Sequence, residues 1–147
     1  MSGKSERAVE LFEKGYNCSQ SAAGVFAEGL GVDERTVFKI ASGFGGGIAR
    51  GGDICGAVTG VIMALGLRYF EGDDIQKSKA EVYKIVKEFK KRFKKRHKSI
   101  VCRKLLGVNI GTAKGAAKFA AEDLHHKICS GLVRDAVEIV EEMMREN

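Results

Sequence analysis

The chain has 147 residues, enough to bury a sizeable core in one domain, and its 44% hydrophobic and 30% charged content excludes a disordered polymer. The net charge of +6 is concentrated between Lys84 and Lys98. There Lys84, Lys87, Lys90, Lys91, Arg92, Lys94, Lys95, Arg96 and Lys98 face the single acid Glu88, so the remainder is close to neutral. The apolar run from Ile54 to Leu67 is too short and too glycine-rich for a bilayer span, which needs roughly 20 apolar residues. The opening MSGKSERAVELFEKG is amphipathic and lacks the apolar block of a signal peptide. These features predict a cytoplasmic protein, and in that compartment four cysteines point to metal or redox chemistry rather than a disulfide framework.

The pattern predicts a first helix over residues 5–14, with Ala8, Leu11 and Phe12 on one side and Gly15 as its stop. Asn17 is the expected cap of a second, in which Cys18, Ala22, Val25 and Phe26 share a stripe ending near Gly29 or Gly31. Asp33 caps a third with Val37, Ile40, Ala41 and Phe44 inward. A glycine-rich loop then leads to a central helix over Cys55–Tyr69, with Asp53 as its expected cap. That helix is apolar or small on nearly every side, so it should be enclosed by other elements.

Asp73 or Asp74 opens a long helix to about His97, with Val82, Val86, Phe89 and Phe93 as its apolar stripe. Ser99 is the expected cap of a short helix carrying Cys102, Leu105 and Leu106. Thr112 to about His126 reads as one alanine-rich helix, weakened by Gly115. The last helix begins near Ser130 and turns Leu132, Val133, Ala136, Val137, Val140, Met143 and Met144 inward. No stretch alternates as a strand does, and proline, linkers and repeats are absent. The expected architecture is therefore all-α, a single-domain helical bundle spanning residues 1–147 around a central glycine-rich hydrophobic helix.

Cys18, Cys55, Cys102 and Cys129 form no C-x-x-C pair, so spacing alone indicates neither a thioredoxin motif nor a zinc ribbon. Their placement is more informative. Each falls at or just before a helix start, on that helix's apolar stripe, where unpaired N–H groups and the helix dipole favour a thiolate. Such sites lower a thiol pKa from about 8.5 to roughly 3.5–7.5, and thiolates are the species that bind soft metals or attack disulfides. The competing reading is four small core hydrophobes, since free cysteine is among the most buried residue types.

Four stretches carry a resemblance: YNCSQS around Cys18, GFGGGIARGGDICGAVTGVIMALGL around Cys55, CRKLLG at Cys102, and ICSGLVRDAVEIVEEM from Ile128. Across nearly the whole chain they are similar, in order, to the redox-active protein family named for its C_GCAxxG_C_C cysteine pattern. Two departures stand out: Cys55 precedes Gly56, the reverse of the order in that name, and Ser130 stands where many members carry proline. Neither removes a sulfur.

The resemblance implies a redox role for the four thiols, in an oxidoreductase or electron-transfer protein. Similar domains accompany haem units in split-Soret cytochromes, where an iron–sulfur site is suspected. Two mechanisms follow: four thiolates converging on an iron–sulfur cluster, or paired cysteines cycling between dithiol and disulfide with a partner protein. A structural zinc site is a third. Four sulfurs without an adjacent resolving pair favour the cluster.

Gly43, Gly45, Gly46, Gly47, Gly51 and Gly52 crowd the loop before Cys55. No strand precedes them and no G-x-x-x-x-G-K pattern is present, which argues against a phosphate loop. Their expected role is to bring backbone N–H groups close to the sulfurs, with Gly45, Gly46, Gly47 and Gly56 against the cofactor. Gly60 and Gly66 fit the same idea, each costing up to about 1 kcal/mol against alanine in a helix.

The lysine-rich helix is chiefly a solvated face, with docking of an acidic redox partner as the alternative; without interleaved aromatics or a known motif, nucleic acid is disfavoured. His97, His125 and His126 are expected at the surface, with His126 the nearest in sequence to Cys129 of those three that merits a check as a ligand. No membrane partner is expected, and a homo-oligomer is compatible with the sequence.

Overall fold

Short polar side chains cap four of the eight helix starts, at Asn17, Asp33, Asp74 and Thr112. The computed structural model describes residues 3–146, which form eight α-helices and no strand. Helix α1 (Gly3–Glu13) ends at Gly15, whose φ of 114° only glycine adopts readily. Helix α2 (Cys18–Gly24) opens on a capping box: the Asn17 side chain accepts the Gln20 N–H at 2.8 Å, and the Gln20 side chain accepts the Asn17 N–H at 3.0 Å. Asp33 caps α3 (Glu34–Ala41) through the Thr36 N–H. Next come α4 (Gly56–Tyr69) and α5 (Ile75–His97), the latter capped by Asp74. Helices α6 (Cys102–Leu106) and α7 (Ala113–Ala121) are short, and a π-helical turn (His125–Cys129) runs into α8 (Ser130–Glu146).

Helix α4 packs against α2, α5 and α8, and its Ala57, Val58, Val61 and Leu65 are fully covered. Phe26, Phe89, Phe93, Val133, Val137 and Val140 close around them, and α1 lies along α8. Each large apolar side chain buried this way contributes roughly 1.5–3 kcal/mol, so this cluster anchors the fold. On α5, Lys84, Lys87, Lys91 and Lys94 face solvent, as does the C-cap Lys98, while Arg92 is tied to Glu146 by two hydrogen bonds of 2.8 Å. No helix among the described residues is long and apolar enough to cross a membrane.

Several expectations are corrected. Cys55 is the N-cap of α4, and Asp53 instead pairs with Arg103 at 3.6 Å. Val101 is the N-cap of α6, while the Ser99 hydroxyl accepts the Val101 N–H one step earlier. Ile40 is 63% exposed, because α3 stops at Ala41 and turns its inner face with Val37 and Ala41 only. The segment from Thr112 does not continue to His126: it ends at Ala121, and Asp123 takes a left-handed φ of 54° before the π-helical turn. Helix α4 is not enclosed along its whole length either, since Leu67 and Phe70 are each 46% exposed at its C-terminal end.

Candidate functional site

The loop before α4 is wound the unusual way. Gly46, Gly47, Ile48, Ala49 and Arg50 all have positive φ (64°, 72°, 66°, 48° and 62°), giving a left-handed turn in which three residues are not glycine. Left-handed backbone costs roughly 1–2 kcal/mol per residue with a Cβ. The turn is held by hydrogen bonds from Ala49 N–H to Gly43 O (2.9 Å), Arg50 N–H to Gly45 O (3.0 Å) and Asp53 N–H to Gly47 O (2.9 Å). Gly47 is required by space as well as by φ, because a Cβ there would stand 2.8 Å from Cys102 Cβ.

The end of the loop is stitched to the start of α6. Cys55 N–H donates to Ile100 O at 2.8 Å, Cys102 N–H donates to Asp53 O at 2.6 Å, and Ile54 and Val101 form an isolated antiparallel bridge. Cysteines 47 positions apart in sequence are thereby brought to one place. Cys18 reaches it from the first position of α2, which packs so closely on α4 that a Cβ on Gly56 would collide with the Cys18 sulfur. Cys129 reaches it from the last residue of the π-helical turn, and one-turn π segments often mark functional positions.

All four sulfur residues line a single cavity of about 220 Å³. No disulfide joins them. The walls are mostly apolar, with Phe12, Leu106, Ile110 and Leu132 among them, and Tyr16, Arg50, Phe119 and His125 also line it. Among the described residues, no three His, Cys, Asp or Glu side chains gather closely enough to hold a single metal ion.

The expected lowering of the thiol pKa values is reversed, because burial outweighs the helix-start N–H groups. Cys18 is pushed up by burial, even though backbone N–H groups of Gly46, Ser19 and Gly56 lean the other way. Cys55 is pushed up by burial and by the neighbouring Cys18, against the N–H groups of Val58 and Ala57. Burial and Cys18 push Cys102 up to about 11, opposed by the Arg50 charge, and Cys129 up to about 12. The thiols are thus protonated at neutral pH until something displaces the protons.

Of the loop and helix glycines singled out in the sequence, Gly46, Gly47 and Gly56 line the cavity. Gly45 lies against the Asn17 side chain, where a Cβ would come within 2.6 Å, so its small size serves the α2 cap. A Cβ on Gly60 would stand 2.6 Å from Ser19 O, a packing role, whereas Gly66 faces open space.

His126 does not approach the sulfurs: it is exposed and paired with Asp123 at 2.8 Å, which raises its pKa. His125 is the histidine at the cavity, stacked on Phe12 with ring centroids 4.0 Å apart, and burial lowers its pKa. Sequence reasoning missed His125, Phe119 and the orientation of Arg50. The only available signal was the proximity of Arg50 to Cys55 along the chain.

The model of one protein family, described as "Putative redox-active protein (C_GCAxxG_C_C)", matches residues 16–143. Over 62 residues the chain is 40% identical to an uncharacterized protein of Archaeoglobus fulgidus, a stretch that makes up 42% of this chain and 41% of that protein. The chain thus matches less than half the length of that relative. No solved structure matches. The family match runs through all four cysteines that meet at the cavity, and the chain belongs to the C_GCAxxG_C_C redox-active family.

Proposed function

We propose that Cys18, Cys55, Cys102 and Cys129 hold an iron–sulfur cluster and that the protein transfers electrons through it. The observation that carries this reading is that four thiols separated along the whole chain line one cavity. Four soft ligands in one place suit iron–sulfur chemistry.

The cluster would supply a one-electron couple with a potential set by its charge, hydrogen bonds and exposure. The chain's own part is to bind and tune. Gly46, Ser19 and Gly56 direct N–H groups at the Cys18 sulfur, and N–H groups of Val58 and Ala57 face Cys55. Such donors hold negative charge on sulfur, while the apolar walls keep water away. The raised pKa values also distinguish this reading from thiol–disulfide exchange. Exchange needs an accessible thiolate near neutral pH, and burial disfavours one here, whereas metal binding itself drives off the proton.

Anaerobic reconstitution of the metal-free protein with ferrous iron and sulfide tests the proposal. The expected product is brown, with visible sulfur-to-iron absorption and bound iron that falls when any one of the four cysteines is changed to serine. A protein that stays colourless and iron-free under those conditions refutes it. Reversible loss of two titratable thiols at a time under mild oxidant would then favour exchange.

A further inference from the structure

Among the described residues lining the thiol cavity, Arg50 carries the only formal charge at neutral pH; no Asp, Glu or Lys is among them, and burial lowers the pKa of His125. Its left-handed backbone (φ 62°) is wedged between Gly46 and Gly111: a Cβ on Gly46 would lie 2.9 Å from Arg50 Cα, and one on Gly111 would lie 3.0 Å from Arg50 O. The guanidinium carbon stands 5.9 Å from the centroid of the Phe119 ring, within the range of a cation–π contact. The nearest loop acid, Asp53, is already paired with Arg103. No ion pair involving Arg50 occurs among the described residues.

A strained backbone has therefore placed an unpaired cation at a cavity lined by four sulfurs. Arg50 is itself exposed, and no acid pairs with it among the described residues. A cation at the mouth of an apolar cavity acts on negative charge developing at the sulfurs through less dielectric than one in open water.

We infer that Arg50 is the charge-balancing residue of the four-thiol cavity: it offsets negative charge on the sulfur side and favours the approach of small anions over neutral molecules at the mouth. Phe119 seats the guanidinium, and the left-handed turn fixes where it starts. Arg50 is a positioning residue, acting through the sulfurs. The part of this inference that concerns electron transfer rests on the cluster reading; the charge preference of the cavity does not.

The test has two arms. In metal-free, reduced protein, the cavity cysteines are alkylated with anionic iodoacetate and with neutral iodoacetamide, and the rates at Cys102 and Cys129 are read by mass spectrometry. Both reagents consume the same thiolate, so their rate ratio reports local charge and cancels the thiol pKa. Arg50→Gln should lower the iodoacetate-to-iodoacetamide ratio at Cys102 by roughly threefold, the size expected of one partly screened charge, and Arg50→Lys should keep it near the original value. A ratio unchanged by Arg50→Gln overturns the inference. Should Arg50→Gln fail to fold, Arg50→Gly removes the same charge and relieves the positive φ.

In the second arm the variants are loaded with iron and sulfide. Arg50→Gln should shift the reduction potential to more negative values at unchanged iron content, with recovery in Arg50→Lys. Failure of the wild-type protein to take up iron counts against the cluster alone, and the alkylation ratio still decides the role of Arg50.

Discussion

Cys18 and Cys55 differ from Cys102 and Cys129 in what holds them. Cys55 belongs to the large core around α4 and Cys18 packs against it, and both receive backbone N–H groups. Cys102 sits in a smaller cluster with Leu106, Ile110 and Leu124, and Cys129 packs against both clusters; neither has an N–H donor acting on its sulfur. The cavity is thus a seam between a main core and a satellite. On the main-core side the backbone itself can carry negative charge. On the satellite side that work falls to a side chain, Arg50, whose charge acts on Cys102.

Alkali should break this arrangement with the largest effect. Cys102 and Cys129 rise from an ordinary 9.0 to about 11 and about 12 in the fold. A group whose folded pKa is raised keeps its proton in the native state after the unfolded chain has lost it. Its stabilisation is complete below pH 9.0 and is lost as pH rises through the folded value. Metal-free protein should therefore lose stability above pH 9.0, by up to about 1.4 kcal/mol per pH unit for each thiol. Urea denaturation under reductant at about pH 8 and about pH 10.5 checks this. The double change of Cys102→Ser and Cys129→Ser should make the slope shallower, with the raised thiols of Cys18 and Cys55 carrying the rest; an equal slope in that variant would mean the satellite thiols are not buried as described.

Gly56→Ala should come next, because it strikes where α2 presses on α4. The added Cβ collides with the Cys18 sulfur and stands 3.1 Å from Phe44 O, a backbone atom that cannot swing aside. A loss of about 1–3 kcal/mol is expected, as for other overpacked sites, together with faster alkylation of Cys18 as its sulfur is displaced. Equal stability to wild type in chemical denaturation would show that α2 and α4 are not pressed together. Asn17→Ala probes the same junction from the cap, where Asn17 accepts the Gln20 N–H and also donates to Ser42 O at 2.9 Å. It should cost about 1 kcal/mol, with Arg50 and its Phe119 contact undisturbed.

The helices were readable because their causes are local. Asn17, Asp33, Asp74 and Thr112 cap the elements they precede, and the apolar stripe of α8 is buried at Leu132, Val133, Ala136, Val137 and Val140. Asp53 misled because the bridge of Ile54 to Val101 moves the start of α4 past it, to Gly56 with Cys55 as N-cap. The four cysteines were visible as chemistry, but their meeting depends on Cys55 N–H reaching Ile100 O and Cys102 N–H reaching Asp53 O. Those bonds span more than forty positions and leave no periodicity to detect. The thiol pKa values were misjudged for the same reason: the helix-start N–H groups are local and legible, whereas burial depends on everything packed around them.

Gly66→Ala gives the smallest effect, opposite in sign, and sharpens the contrast within α4. Gly56 and Gly60 sit where α2 presses on the helix, but nothing lies within 4 Å of a Cβ built on Gly66. Its φ is not positive, so alanine fits the backbone, and it removes the flexibility glycine brings to the unfolded chain. The expected gain is about 0.5–1 kcal/mol, read as a higher denaturation midpoint at an unchanged denaturant slope. A loss instead would mean that the exposed face bearing Gly66, Leu67 and Phe70 is covered in solution, since an added methyl then meets a partner surface. Mass measured by light scattering on the same samples separates the two outcomes: a gain goes with one mass for both proteins, and a loss goes with a smaller assembly in the variant.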